Sequence, residues 1–175
     1  SAVHRIIVTV RGRQFPMTGY VHVSAAGASV VATADLGATL FAVEEKDGIV
    51  SVRTPSAYIP ERYIIEGALR DVRVIYGARP GVDAAAMPRA DGRACMVETF
   101  PGSLRAEYIQ NAASGQLAEY RLFRRGSLVY AARFLEYGRA DGGVSFPTRV
   151  EIDDSRLAYA LCVTAVDTRI EEPGR

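Results

Sequence analysis

The chain has 175 residues, of which 49% are hydrophobic and 23% charged, and its formal net charge is +1. That composition belongs to a folded globular protein large enough for one sizeable core. The near-zero charge excludes an overall field favouring nucleic acid or an anionic surface, and the lack of a long apolar run excludes a membrane-spanning helix.

Positive charge is carried by twenty arginines and a single lysine, Lys46. They are spread along the whole chain, which reads as a bias of composition rather than an arginine-built site. Two cysteines, Cys95 and Cys162, each sit in an apolar strand-like run and read as small buried hydrophobes, with a disulfide as the minority reading. The opening residues read as the start of a strand rather than as a secretory leader. An export signal or lipid anchor removed ahead of Ser1 would leave no trace in these residues.

From Val3 to Val10 the chain is dense in β-branched residues and predicts a first strand, with Ile6, Val8 and Val10 on one face and Arg5, Ile7 and Thr9 on the other. Met17–Ser24 follows as a second strand, and a hairpin through Ala25-Ala26-Gly27 leads into a third. The stretch Val30–Val52 organises what comes next: strand, tight turn at Asp35-Leu36-Gly37, strand, tight turn at Asp47-Gly48, strand. Leu36 stands at a turn tip, where polar or small residues are usual because the chain is in water there.

Pro55 and Pro60 end this strand run, and Pro60 suits the first position of a helix. Ile64, Ile65, Ala68, Leu69, Val72, Ile75 and Tyr76 recur with helical spacing, and Gly77 offers a stop. Gly67 and the β-branched residues weaken this helix intrinsically, so it needs a sheet to lie on. The segment 78–92, with two prolines and little period, predicts a long surface loop or flap.

The rest reads as a meander. Arg93–Phe100, Arg105–Gln110, Leu117–Phe123, Leu128–Tyr137, Ser145–Ile152 and Leu157–Asp167 are predicted strands. They are separated by turn chemistry at Pro101-Gly102, Ser114-Gly115, Arg125-Gly126, Asp141-Gly142-Gly143 and Asp153-Asp154-Ser155. The tail from Glu171 is polar and reads as frayed. The prediction is a mainly β (α+β) single domain over 1–175: about eleven short antiparallel strands, curved to bury a core, with one helix across the concave face.

Catalytic and metal signatures are absent from the sequence. It has no G-x-S-x-G elbow, no H-E-x-x-H, no C-x-x-C, no P-loop and no G-x-G-x-x-G. His4 and His22 fall on neighbouring strands and could meet across the first hairpin, but no third ligand stands near them. Asp153-Asp154 and Glu44-Glu45 are adjacent acids, read as solvated charges rather than a carboxylate pair facing across a cleft. Tyr120, Arg121, Phe123, Arg124 and Arg125 come closest to a nucleic-acid platform, but Tyr120 and Phe123 fall on opposite strand faces. The expectation is a non-enzymatic protein without cofactor, metal or nucleic-acid partner.

What remains is apolar surface on a curved sheet. Phe41, Tyr108, Tyr120, Leu122, Tyr130, Phe134 and Tyr159 can line its concave face, with Leu69 on the helix above them. Such residues suit an acyl-chain site, and they equally suit an ordinary packed core.

Three segments, in order, carry a resemblance: VVATADLGATLFAVEEKDGIVSV, then RYIIEGALRDVRVIYG, then AEYRLFRRGSLVYAARFLEYG with FPTRVEIDD and RLAYALCVTAVD. Their layout resembles the bacterial outer-membrane lipoprotein receptor of the Lol sorting system and its relatives. The resemblance implies a half-barrel whose cavity holds the acyl chain of a lipid or an acylated protein. It also implies a monomer at the periplasmic face of the outer membrane, attached through a lipid anchor beyond these residues. In that family an apolar Leu on the loop between the third and fourth strands projects outward and helps cargo into the membrane. Leu36 matches it, although Asp35 stands where the family has proline. The implied function is lipid or lipoprotein trafficking to the outer membrane. The alternative is a cell-envelope binding or assembly module with a filled core and a protein partner.

Overall fold

The structure, a computed structural model, describes residues 1–53, 59–81, 84–88, 91–139 and 145–169. Pro55, the turn through Asp141-Gly142-Gly143, the tail from Glu171 and parts of the 78–92 segment lie outside these residues.

Period-two alternation carries most of the chain into strands. They are β1 (Ala2–Val10), β2 (Arg13–Ser24), β3 (Gly27–Thr33), β4 (Thr39–Lys46), β5 (Ile49–Arg53), β6 (Ala85–Pro88), β7 (Arg93–Phe100), β8 (Leu104–Asn111), β9 (Leu117–Arg124), β10 (Ser127–Arg139), β11 (Ser145–Asp154) and β12 (Tyr159–Thr168). All twelve form one curved, unclosed antiparallel sheet in the order β5-β4-β3-β2-β1-β12-β11-β10-β9-β8-β7-β6. The predicted count of about eleven rises by one because β6 lies inside the segment read as a loop. It pairs Ala85–Pro88 with Val97–Ala94 of β7 and ends in proline, which only an edge strand tolerates.

The hairpins follow the turn chemistry. Arg11-Gly12, Asp47-Gly48 and Arg125-Gly126 each place both central residues at positive φ, the signature of the type I′ turn that matches strand twist. Two meanders, β1–β5 and β6–β12, are joined side by side where β1 pairs with β12 from Ala2 opposite Thr168 to Val10 opposite Tyr159. The first meander therefore ends at one edge of the sheet and the second begins at the other. The chain between them has to cross the concave face.

It crosses as a helix. Tyr63–Leu69 is π-helical and continues directly into the α-helix α1, Arg70–Gly77. The sequence predicts a helix here but not the wide turns at its start. Ile64 and Leu69, five residues apart, are both fully buried in the same cluster, a spacing that π geometry brings onto one face better than α geometry does. Gly67 lies against the Tyr159 ring. A Cβ there would come within 3.2 Å of the Tyr159 hydroxyl, so the glycine lets the helix sit close on the sheet.

The core is two clusters beneath this helix. One gathers Met17, Val21, Val30, Phe41 and Val43 from β2–β4 with Ile64, Leu69 and Val72. The other gathers Tyr108, Tyr130, Ala132, Phe134, Val150, Ile152, Tyr159 and Val163 from β8–β12 with Val74 and Ile75. Ile6, Val8 and Tyr76 touch both, so β1 and the end of the helix form the seam. Both cysteines are thiols, Cys95 buried on β7 and Cys162 half-buried on β12, as expected of small strand hydrophobes.

Burial predicts a contrast between two isoleucines. Ile64→Ala should lower stability by about 2–5 kcal/mol, because it deletes a fully buried side chain. Ile49→Ala, at an exposed edge position, should stay within about 0.5 kcal/mol. Urea denaturation of the two variants measures both.

Candidate functional site

The strap helix meets the sheet through a polar cluster as well as through its apolar face. Arg70 and Asp71 stand where the π-helical segment passes into α1. Asp71 is on the stripe that also carries Ile75, one turn further on. Its carboxylate accepts from the Tyr159 hydroxyl at 2.7 Å and from the Tyr130 hydroxyl at 3.0 Å. Arg70 donates to the Tyr159 hydroxyl at 2.9 Å and pairs closely with Asp154. Its guanidinium carbon lies 4.4 Å from the Tyr130 ring centre, a cation–π arrangement. Nε and Nη1 of Arg70 are buried with no hydrogen-bond partner, so the ring face is their neighbour.

Asp154 is fully buried at the end of β11. One oxygen accepts from the backbone N–H groups of Arg156 and Leu157, fixing the turn into β12, and the other meets Arg70. The expectation of a solvated acid pair therefore holds for Asp153, which is exposed, and fails for Asp154. The two adjacent residues face opposite sides of the strand. Glu44 and Glu45 do carry surface ion pairs, with Arg53 and Arg73.

Burial raises the Asp71 carboxyl from its ordinary 3.8 to about 6, the Arg70 charge and the two tyrosine hydrogen bonds notwithstanding. It raises both Tyr130 and Tyr159, which stay phenols and keep donating. At the other end of α1, Tyr76 hydrogen-bonds Nε2 of His4 and stacks on its ring. Burial lowers His4 from 6.5 to about 4, so it is neutral. His4 and His22 do not meet. His4 faces the helix, while His22 is on the other face of the sheet with Ser1 at 3.0 Å. Among the described residues no cluster of His, Cys, Asp and Glu could hold a metal.

The candidate cavity residues all lie on or under the concave face. Phe41 and Leu69 belong to the first core cluster. Tyr108, Tyr130, Phe134 and Tyr159 belong to the second, with Tyr120 and Leu122 half-buried against it. Tyr108, Tyr120 and Tyr130 form an edge-to-face aromatic row, with centroid separations of 5.2 and 6.1 Å. None of the eight lines either of two hollows found among the described residues. Those are open grooves of about 380 and 500 Å³, one around Tyr20, His22 and Val31, the other around Val23, Gly27 and Tyr76.

Leu36 is not brought to this face. It stands at the tip of the β3–β4 turn and is 98% exposed. The turn is closed by Gly37 N–H donating to the Ala34 carbonyl and Ala34 N–H donating to that of Ala38. Gly37 supplies the positive φ, and the turn leaves the leucine nothing to fold onto. Of this site, the sequence reading missed Arg70, Asp71 and Asp154. The available signal was a charged pair, Arg70-Asp71, set inside an otherwise apolar helical stripe between Leu69 and Val72.

Neither a family model nor a curated protein matches this sequence. Solved structures do. A LolA superfamily protein from Nitrosomonas europaea superposes with a TM-score of 0.64 at 11% identity, covering 99% of this chain and 86% of that one. A domain from Vibrio parahaemolyticus described as an outer-membrane lipoprotein-sorting protein gives 0.60 at 12% identity, with 98% and 86% covered. A DUF1329 family protein from Desulfovibrio piger gives 0.59 at 10% identity, with 95% and 82% covered. The chain shares the fold of these three structures. Within that fold, the polar cluster at Arg70 is what fastens the crossing helix of this chain.

Two tests address the cluster. Arg70→Met removes the counter-charge from buried Asp154 and should cost about 3–5 kcal/mol in urea denaturation. Adding Asp154→Asn, which still accepts from the turn, should recover part of that loss. The pH dependence divides between two groups of opposite sign. Asp71 binds its proton more tightly folded than unfolded, so its contribution to stability falls as pH rises from about 4 to 6. His4 binds its proton less tightly folded, so its contribution rises from about pH 4 to 6.5. Relative to wild type, Asp71→Asn should steepen the rise of stability with pH in this window, and His4→Gln should flatten or reverse it.

Proposed function

We propose that the protein binds the acyl chain of a lipid or lipid-modified protein between its helix and the concave sheet. We further propose that it serves lipid or lipoprotein trafficking at the periplasmic face of the outer membrane. One observation carries the reading: an aromatic and aliphatic concave face is covered by a single helix, and that helix is fastened to it through one small polar cluster. Displacing the helix presents Phe41, Tyr108, Tyr120, Leu122, Tyr130, Phe134 and Tyr159 to an incoming chain, and Leu69 leaves with the helix. Each methylene so buried contributes about 0.8 kcal/mol. Binding of this kind needs no covalent chemistry, and we assign no catalytic residue. The lipoprotein-sorting fold of the neighbouring structures supports the cargo class.

Leu36 is assigned to the handover step. It is the most exposed large apolar residue described, and the turn holds it away from the core. The second reading, a binding module with a filled interior, is favoured by one fact: Tyr130 on the sheet and Ile64 and Leu69 on the helix above it are all fully buried.

Titration with a fluorescent lipophilic probe separates the two. The expected result is saturable binding, displaced by an acylated peptide and not by the same peptide lacking its chain. Absence of saturable binding, or equal displacement by both peptides, would remove the chain-binding reading and leave the filled module. Leu36→Glu should keep the urea midpoint and the probe affinity while slowing delivery of acylated peptide to vesicles. Undiminished delivery would free Leu36 of the role.

A further inference from the structure

The arginines spread along the sequence are gathered in space. Antiparallel pairing sends the turns alternately to the two ends of the sheet. The turns at residues 11–12, 34–38, 101–103, 125–126 and 155–158 all fall at one end. Across the sheet this edge reads Leu36, then Arg11 and Arg13, then Arg156, then Arg124 and Arg125, then Phe100. Successive turns lie two strands apart, roughly 10 Å along the edge. The helix starts at the same end with Glu61 and Arg62.

The described charges at this end are unequal. Arg11, Arg13, Arg62, Arg124, Arg125 and Arg156 are exposed, against Asp35, Glu61 and Asp153. The side chains of Arg11, Arg13, Arg124 and Arg125 make no ion pair among the described residues. At the opposite end the described charges mix, with Lys46, Arg93, Arg139 and Arg169 beside Asp47, Asp91 and Asp167.

Turn chemistry adds a second observation. Arg11 and Arg125 each occupy the first central position of a type I′ turn, at φ 49° and 51°. Asn, Asp or Gly is favoured there, and the matching turn at the other end has Asp47. Twice, and at one end only, an arginine stands where backbone sterics disfavour it. Exposed apolar residues accompany them: Leu36, Phe15 and Phe100 at the mouth, and Leu128 on the outer side. Cations interleaved with apolar side chains along a rim match a surface with anionic headgroups over hydrocarbon.

We infer that this rim docks the protein onto a membrane containing anionic phospholipid, with Arg11, Arg13, Arg124 and Arg125 meeting headgroup phosphates and Leu36, Phe15 and Phe100 entering the interface. The inference deepens the handover role of Leu36 and rests on that reading for the place of the leucine. It turns the mouth of the concave face, at the start of the helix, toward the membrane.

The test is co-sedimentation with vesicles of phosphatidylcholine alone and of phosphatidylcholine mixed with phosphatidylglycerol. The wild-type chain should partition onto the mixed vesicles at low salt and be released by high salt. R124E/R125E and R11E/R13E should each lower that partition by on the order of tenfold or more, while R93E/R139E, at the opposite end, should change it little. Equal binding to both vesicle types, a salt-independent partition, or an equal loss in R93E/R139E would overturn the inference. The salt dependence needs no variant, so it decides even where a charge reversal disturbs folding. Probe and acylated-peptide binding measured on the same rim variants should be unchanged. Lost vesicle partition with intact chain binding therefore supports the rim. A chain that never binds acyl peptide, yet partitions through its arginines, removes the carrier reading and not this one.

Discussion

A sheet whose two meanders meet in the middle leaves its chain with one unavoidable crossing. The strand before the crossing, β5, and the strand after it, β6, are the two outer edges, so the connecting segment must traverse the concave face. Everything about the interior depends on how that segment is held. Apolar contact alone is non-directional and would let the helix slide or lift. The Arg70–Asp154 pair, with Asp71 between two tyrosine hydroxyls, adds direction: it specifies one register, against the three strands β10, β11 and β12. Buried charges of this kind add less to net stability than their contacts suggest, and are strongly destabilising when one partner is removed. They behave more like a fastening than like glue.

The strands were largely legible because one face of each is buried, and period two then fixes the pattern. Leu157, Tyr159, Leu161 and Val163 sort to the core as their alternation predicts. The type I′ turns at Asp47-Gly48 and Arg125-Gly126 were legible because glycine supplies the required φ. β6 was not, since AAMP offers neither β-branched residues nor alternation, and only its pairing with β7 makes it a strand. The π-helical start was not legible either. Burial of Ile64 and Leu69 against the sheet, not local propensity, selects it.

The site was legible by half. The aromatic residues of the concave face were named as apolar side chains able to line a curved sheet, and the structure places them on that face. The charged residues that fasten the helix over them were not, because solvation is the ordinary fate of an acid in a turn. Asp154 departs from it through a partner, Arg70, that lies far away in sequence and reaches it only after the helix has crossed. The arginine rim was hidden for the same reason. Even spacing along the chain looks like compositional bias until antiparallel pairing sends alternate turns to one end.

The filled interior and the carrier reading compete for the same volume, and magnitudes show why neither excludes the other. Lifting the helix exposes Ile64, Leu69, Val72 and Ile75, at about 1.5–3 kcal/mol each, or roughly 6–12 kcal/mol together. A chain of roughly fifteen methylenes laid in their place returns about 12 kcal/mol. The two amounts are of one size, so on the carrier reading a single long acyl chain would balance the lifted helix and a short one would not. The polar fastening then decides the resting state. On the carrier reading, Arg70 and Asp71 hold the helix down in the absence of a chain and keep the aromatic face out of water. On that reading, a bound chain would leave the tyrosine hydroxyls released from Asp71 to find water or headgroup oxygens instead. Tyr159 and the charged pair sit toward the end of the sheet that carries the arginine rim. On this geometry, opening would free Arg70, Asp71 and Tyr159 nearest the mouth and the His4–Tyr76 pair at the deep end, with the apolar residues between them.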